Sequence, residues 1–144
     1  MLIRSVNIQD MAGLYALECN AFGDHCFPDF FFRQALDMWP SLLLVAEPDA
    51  GALAGYVLAV PSDQADEAWI LSLAVNADFR GQGLGRRLLA DVLAILEAKG
   101  FTHIKLTVHP DNPARQLYAD LGFREAGFEE AHFGQGEPRV LMVR

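Results

Sequence analysis

Arg80-Gly81-Gln82-Gly83-Leu84-Gly85-Arg86 is the stretch that decides how this chain folds. Before it lies an apolar run, Trp69 to Val75, which reads as a strand. After it, Leu84, Leu88, Leu89, Val92, Leu93, Ile95 and Leu96 recur at helical spacing, with Arg86, Arg87, Asp91 and Glu97 off that stripe. The stretch therefore carries the end of a strand into an amphipathic helix, Leu84 to Lys99, which Gly100 ends. Glycines let backbone N–H groups approach a ligand closely, and a helix N-terminus adds its positive dipole, so the loop is an anion cradle. Arg80, Arg86 and Arg87 make it cationic, and a pyrophosphate suits it. Three glycines in five residues exceed what a tight connection needs. A dinucleotide site fits less well: the spacing is G-x-G-x-G, and no acidic residue ends the next strand, Asp111 lying too far along. A P-loop would need a lysine, and the segment has none.

Outward from the loop, strands and helices alternate. Leu2 to Val6 reads as a strand, followed by Asn7 as a helix N-cap with Asp10 three residues on, and a helix to about Asn20. Asp29 to Met38 is a second helix, stopped before Pro40. Leu42 to Glu47 and Leu53 to Val60 form a hairpin around Pro48-Asp49-Ala50-Gly51. Beyond the long helix, Thr102 to Val108 is a strand parallel to Trp69 to Val75, since a crossover helix separates them. Asn112-Pro113 starts a short helix that Gly122 ends, and Phe123 to Phe133 with Arg139 to Val143 closes the chain as an antiparallel hairpin. The expected fold is α/β: a mixed sheet of about seven strands flanked by helices, with residues 1–144 forming one domain.

Composition narrows the function. The 144 residues are 52% hydrophobic with a net charge of −8, which argues against a nucleic-acid partner. Met1-Leu2-Ile3-Arg4 opens no charged leader with an apolar region behind it, and no apolar run reaches the roughly eighteen residues of a membrane span, so the expectation is a cytoplasmic protein. Cys19 and Cys26 stand in no metal-ligand spacing with the four histidines and are expected as reduced thiols, with no metal.

Arg80-Gly81-Gln82-Gly83-Leu84-Gly85 resembles the [QR]-x-x-G-x-[GA] signature of the GCN5-related N-acetyltransferases. Leu73-Ala74-Val75 precedes it at the expected place, and Asn112 to Phe123 resembles the family's second block. The resemblance implies acetyl-CoA as co-substrate and transfer of its acetyl group to an amine. The N–H groups of Arg80, Gly81, Gln82, Gly83, Leu84, Gly85 and Arg86 would hold the pyrophosphate. Leu73 and Val75 would bond the pantetheine arm through their backbones, which requires the two central parallel strands to splay, and an N–H near Leu73 would stabilise the oxyanion. Asn112 is expected as an N-cap first and a coenzyme contact second. Tyr118 is the candidate general acid for the departing thiolate, the alternative being a tyrosine that packs beside Leu117 and Leu121.

The base is less well marked. Glu67, just upstream of its strand, is the candidate, and His109 the second; a solvated charge and a loop histidine are the competing readings. Family members that acetylate ribosomal-protein N-termini carry a glutamate where this sequence has Thr107, a departure that argues against that activity. Ser72 lacks a nucleophile elbow and His25-Cys26 an orienting partner, so direct attack in a ternary complex is expected rather than a covalent acyl-enzyme. Phe30 to Phe32 and Trp39 are candidates for an acceptor pocket or for core. Asp63, Asp66 and Glu67 suggest a cationic acceptor, a small molecule or a peptide. A homodimer is compatible with this reading. The alternatives are another acyl donor or an O-linked acceptor, a catalytically silent acyl-CoA-binding module and, third, an NAD-dependent oxidoreductase.

Overall fold

A computed structural model describes residues 1–144. The elements run β1 (Leu2–Ser5), α1 (Met11–Phe22), α2 (Asp29–Met38), β2 (Leu43–Glu47), β3 (Gly55–Pro61), β4 (Glu67–Val75), α3 (Leu84–Ala98), β5 (His103–Val108), α4 (Ala114–Asp120), β6 (Arg124–Glu129) and β7 (Arg139–Val143). All seven strands join one sheet in the order β1-β2-β3-β4-β5-β7-β6, antiparallel except for β4 beside β5. The expected mixed sheet and its one parallel pair are both present.

The first helix begins with a single 3-10 turn, Ile8–Asp10, carrying the expected capping box. The Asn7 side chain accepts the Gln9 N–H at 3.0 Å, and Asp10 accepts the Asn7 N–H at 2.7 Å. Arg4 of β1 donates to both Asp10 oxygens, at 2.8 and 2.9 Å, which holds that buried carboxyl below its usual range. Strand and helix are thus tied by one carboxylate.

Two apolar layers sandwich the sheet. On one side α3 lays Leu84, Leu88, Leu89, Val92, Leu93 and Leu96 on Val57, Ala59, Ala68, Ile70, Ile104 and Leu106. On the other, Leu14, Leu17, Phe32 and Ala35 of α1 and α2 cover Leu43, Val45, Tyr56, Leu58 and Ala74. Phe31 and Phe32 join this second layer and Trp39 packs against both, whereas Phe30 is exposed.

Strand β4 begins at Glu67, earlier than its apolar run, because Glu67 and Ala68 pair with His103 and Ile104. Its register on β3 then slips: Leu58 faces Ser72, but Ala59 faces Ile70, leaving Leu71 as the extra residue of a bulge. Below the bulge Ala68 and Ile70 point to the α3 layer; above it Leu73 and Val75 do, and Ala74 turns to α1 and α2. One inserted residue exchanges the faces of the strand.

Candidate functional site

The bulge stands where the sheet opens. Strands β4 and β5 pair only at Glu67 with His103, Ala68 with Ile104 and Trp69 with Lys105. Beyond Trp69, β4 continues along β3 to Val75, while β5 turns to β7 through Val108. The result is a fork whose β4 edge has no strand beside it. The Asn76 N–H donates to Ala54 O, toward β3, at 2.8 Å. By alternation Ala74 and Ser72 also face β3, and the backbone groups of Leu73 and Val75 point into the gap. That is the edge a coenzyme arm would need.

The glycine loop lies at the mouth of the fork. Gly81 and Gly83 both have φ of 77°, a conformation that favours glycine, and no heavy atom lies within 4 Å of a Cβ built at either. Gly83 caps α3, and the first helix N–H with a backbone acceptor is that of Arg87, to Gly83 O at 3.1 Å. The N–H groups of Leu84, Gly85 and Arg86 have no backbone partner, as at any helix N-terminus. A cleft of about 280 Å³ runs here between Val75, Arg80, Gly83, Gly85 and Leu117. The arginine side chains are less available than their charge suggested: Arg80 donates to Val75 O at 3.3 Å, and Arg86 pairs with Asp120 at 2.8 Å. Gln82 sits exposed at the tip of the loop. Asn112 stands one residue before Pro113, the N-cap of α4, and its side chain accepts the Ala114 N–H at 2.9 Å. It lines a different and larger cavity of about 540 Å³, between the start of α4 and β6, and does not reach the glycine cleft.

Tyr118 packs its ring on Phe123, with centroids 5.9 Å apart, inside the α3 layer. Its hydroxyl has no hydrogen-bond partner among the side-chain bonds of the protein, and no fully buried side-chain oxygen lacks one, so the oxygen is the end that reaches solvent. Burial of the ring pushes its pKa up to about 12.

Glu67 stands apart from these groups. It lies at the closed end of the fork, on β4 itself, with Lys105 Nζ at 2.6 Å and the Ser62 hydroxyl donating at 2.6 Å. Those partners hold its pKa below the usual carboxylate value. A carboxylate stabilised as the anion and neutralised by an ammonium is a poor proton acceptor. Glu67→Gln is therefore expected to change kcat by no more than a few-fold, checked by steady-state thiol release; a hundredfold loss would restore it as the base. The expected acidic patch is smaller than the sequence suggests, because Glu67 pairs with Lys105 and leaves the carboxylates of Asp63 and Asp66. His109 accepts the Asp111 N–H at 3.1 Å as a loop residue.

Two other groups beside the bulge, Tyr56 and Glu18, stand in no motif of the sequence. Tyr56 of β3 donates to Glu18 of α1 at 2.5 Å and contacts Ser72 Oγ at 2.7 Å, and Glu18 also accepts the Phe27 N–H at 2.9 Å. Glu18 is 1% exposed, and burial raises its pKa against the opposing pull of those two bonds. The signal was present: Glu18 occupies the apolar stripe of α1, with Leu14, Leu17 and Ala21 around it. Cys19 and Cys26 are free thiols 3.6 Å apart.

The family model described as "Acetyltransferase (GNAT) family" matches residues 8–123. The chain is 30% identical over 147 residues to the ribosomal protein bS18-alanine N-acetyltransferase of Salmonella typhimurium, covering 98% of this chain and 94% of that one. It is 35% identical over 138 residues to the mycothiol acetyltransferase of Clavibacter michiganensis, 90% of this chain but only 44% of the relative's length. Among solved structures, the NatC complex bound to Gag peptide and CoA superposes with a TM-score of 0.87 at 18% identity, over 99% of this chain and 96% of that one.

Proposed function

This chain belongs to the acetyltransferase (GNAT) family, and from that premise we propose that the amine it acetylates is the free N-terminus of a polypeptide. The transfer itself, from acetyl-CoA to an amine, follows from the family and its N-acetyltransferase relatives. The observation that carries the acceptor is an uncovered strip of sheet. Trp69, Leu71, Lys105, Thr107, Leu141 and Val143 share the face that α1 and α2 cover elsewhere, yet all are partly exposed and none belongs to either apolar layer. An extended chain laid there would bring its first residue to the bulge. The ribosomal-protein relative in Salmonella and the peptide held by NatC support the same class.

In this reading the pyrophosphate rests on the N–H groups of Gly81 to Arg86, and the pantetheine arm runs along Leu73 and Val75. The thioester reaches the bulge about four residues, or ~13 Å, further down β4. The Leu73 N–H faces the oxyanion and Tyr118 the leaving sulfur. The amine attacks directly in a ternary complex. Thr107, on β5 opposite Leu141, offers no carboxylate, so the amine's proton must leave by another route.

Because a ligand that binds only the native state raises the melting temperature, acetyl-CoA is expected to stabilise the protein by several degrees and NAD not at all. Acceptor choice is tested by thiol release with a panel of peptides of differing first residue, polyamines and antibiotics. Turnover of a polyamine or antibiotic without turnover of any peptide would overturn the polypeptide assignment.

A further inference from the structure

We propose that Ser72, Tyr56 and Glu18 form a proton relay that takes the acceptor amine's proton from the bulge to a buried carboxylate. The inference rests on the acetyltransferase reading of the fork and supplies the base that neither Thr107 nor Glu67 provides.

Hydrogen-bond stoichiometry fixes the direction of the relay. A tyrosine hydroxyl has one proton. An ionised Glu18 takes that proton from Tyr56 Oη at 2.5 Å, which leaves Ser72 as the donor and Tyr56 Oη as the acceptor at the 2.7 Å contact. The Ser72 hydroxyl makes no other hydrogen bond, and the residue is half-buried and immediately follows the bulged Leu71, so its remaining lone pair is free to receive a proton at the fork. Glu18 accepts at both oxygens, from Tyr56 and from the Phe27 N–H, as an ionised carboxylate does. The groups that face it are Tyr56 from β3 and, from the segment between α1 and α2, the Phe27 amide and the Cys26 thiol; none is cationic. Unlike Glu67, Glu18 has no ammonium beside it, and burial raises its affinity for a proton.

The step balances. As the N–C bond forms and the C–S bond breaks, the amine nitrogen loses a proton to Ser72 Oγ, Ser72 passes its own to Tyr56 Oη, and Tyr56 passes its own to Glu18 Oε1. Reversal of the three transfers returns the proton to solvent after the products leave. Ser72 touches the substrate and is the catalytic residue; Tyr56 and Glu18 act through it as positioning residues.

The test compares Ser72→Ala, Ser72→Thr, Tyr56→Phe and Glu18→Gln with the parent, using acetyl-CoA and a peptide with an N-terminal alanine. Ser72→Ala is expected to lose ~10² or more in kcat with little change in the KM for acetyl-CoA, and Ser72→Thr, which keeps the hydroxyl, to recover to within a few-fold. In the parent, kcat should fall as pH drops through the raised Glu18 pKa, and that acidic limb should vanish in Glu18→Gln, whose amide keeps an acceptor for Phe27. A purely structural network would cost stability and leave the pH profile alone. Ser72→Ala, at a half-buried position, decides the matter even where Glu18→Gln fails to fold: parental kcat and an unchanged acidic limb would overturn the relay. A parent inactive on the peptide but active on another amine of the panel overturns only the acceptor assignment, and the same variants are then compared on that amine. Carboxyl-carbon NMR of Glu18 needs no acceptor, and titration at or below 4.5, the ordinary value, would also overturn the proposal.

Discussion

A Gly83→Asp protein is expected to fold and to lose on the order of 10³-fold in acetyl-CoA affinity. Nothing lies within 4 Å of the Cβ position, so the side chain meets no steric obstacle; the φ of 77° costs an aspartate about 1 kcal/mol. That cost is partly offset, because a carboxylate at a helix N-terminus is itself favourable. The same position turns the charge against the coenzyme. The aspartate would occupy the N–H groups of Leu84 to Arg86 that have no other partner, and would set a negative charge within about 4 Å of a pyrophosphate, ~4 kcal/mol of repulsion at an effective dielectric of 20. Gly83→Asn separates charge from shape: it tolerates the same φ and should bind at least tenfold more tightly than the aspartate. Calorimetry on folded proteins decides it. Unchanged affinity in Gly83→Asp would mean that the loop is not the cradle.

Tyr118→Phe is expected to lower kcat by ~10² to 10³ while leaving the KM for acetyl-CoA and the melting temperature close to parental values. The ring that packs on Phe123 is retained, and the hydroxyl has no protein partner whose loss would cost stability. The structure also refines the role. With its pKa pushed up to about 12, the phenol is a weaker acid than a thiol of ordinary pKa near ~8.5, so complete transfer to the thiolate is uphill. A hydrogen bond that strengthens as charge develops on sulfur is not, and it operates without further reorganisation. Because the folded pKa is raised, the donor form persists as pH rises, and no alkaline loss of kcat between pH 7 and 10 should trace to Tyr118. A kcat for Tyr118→Phe within a few-fold of the parent would leave this residue as packing.

Much of the fold was legible because local patterns and burial agree. The α3 stripe, the Asn7 capping box, the hairpin turns and the parallel crossover each depend on neighbours in sequence. The same holds for the free N–H groups at the start of α3, since a glycine loop followed at once by a helix exposes them whatever surrounds it. Elements whose limits depend on distant partners were less legible: β4 starts at Glu67 only because His103 and Ile104 lie beside it.

Sequence by itself determined an α/β architecture with a mixed sheet, a glycine loop that opens its long helix and, through its motifs, acetyl transfer from acetyl-CoA. Only the tertiary structure set the proton affinities of its carboxylates apart. Glu67 and Glu18 are the same residue type, and in sequence the first stood among other acidic residues while the second sat within an apolar stripe. Folding reversed their apparent value. Strand pairing set Lys105 against Glu67 and lowered its proton affinity, whereas the packing of α1 on β3 enclosed Glu18 beside Tyr56, without a cation, and raised it. A carboxylate's proton affinity is set by solvation and by charges within a few ångströms, and those are fixed by contacts between residues as far apart as Glu18 and Ser72.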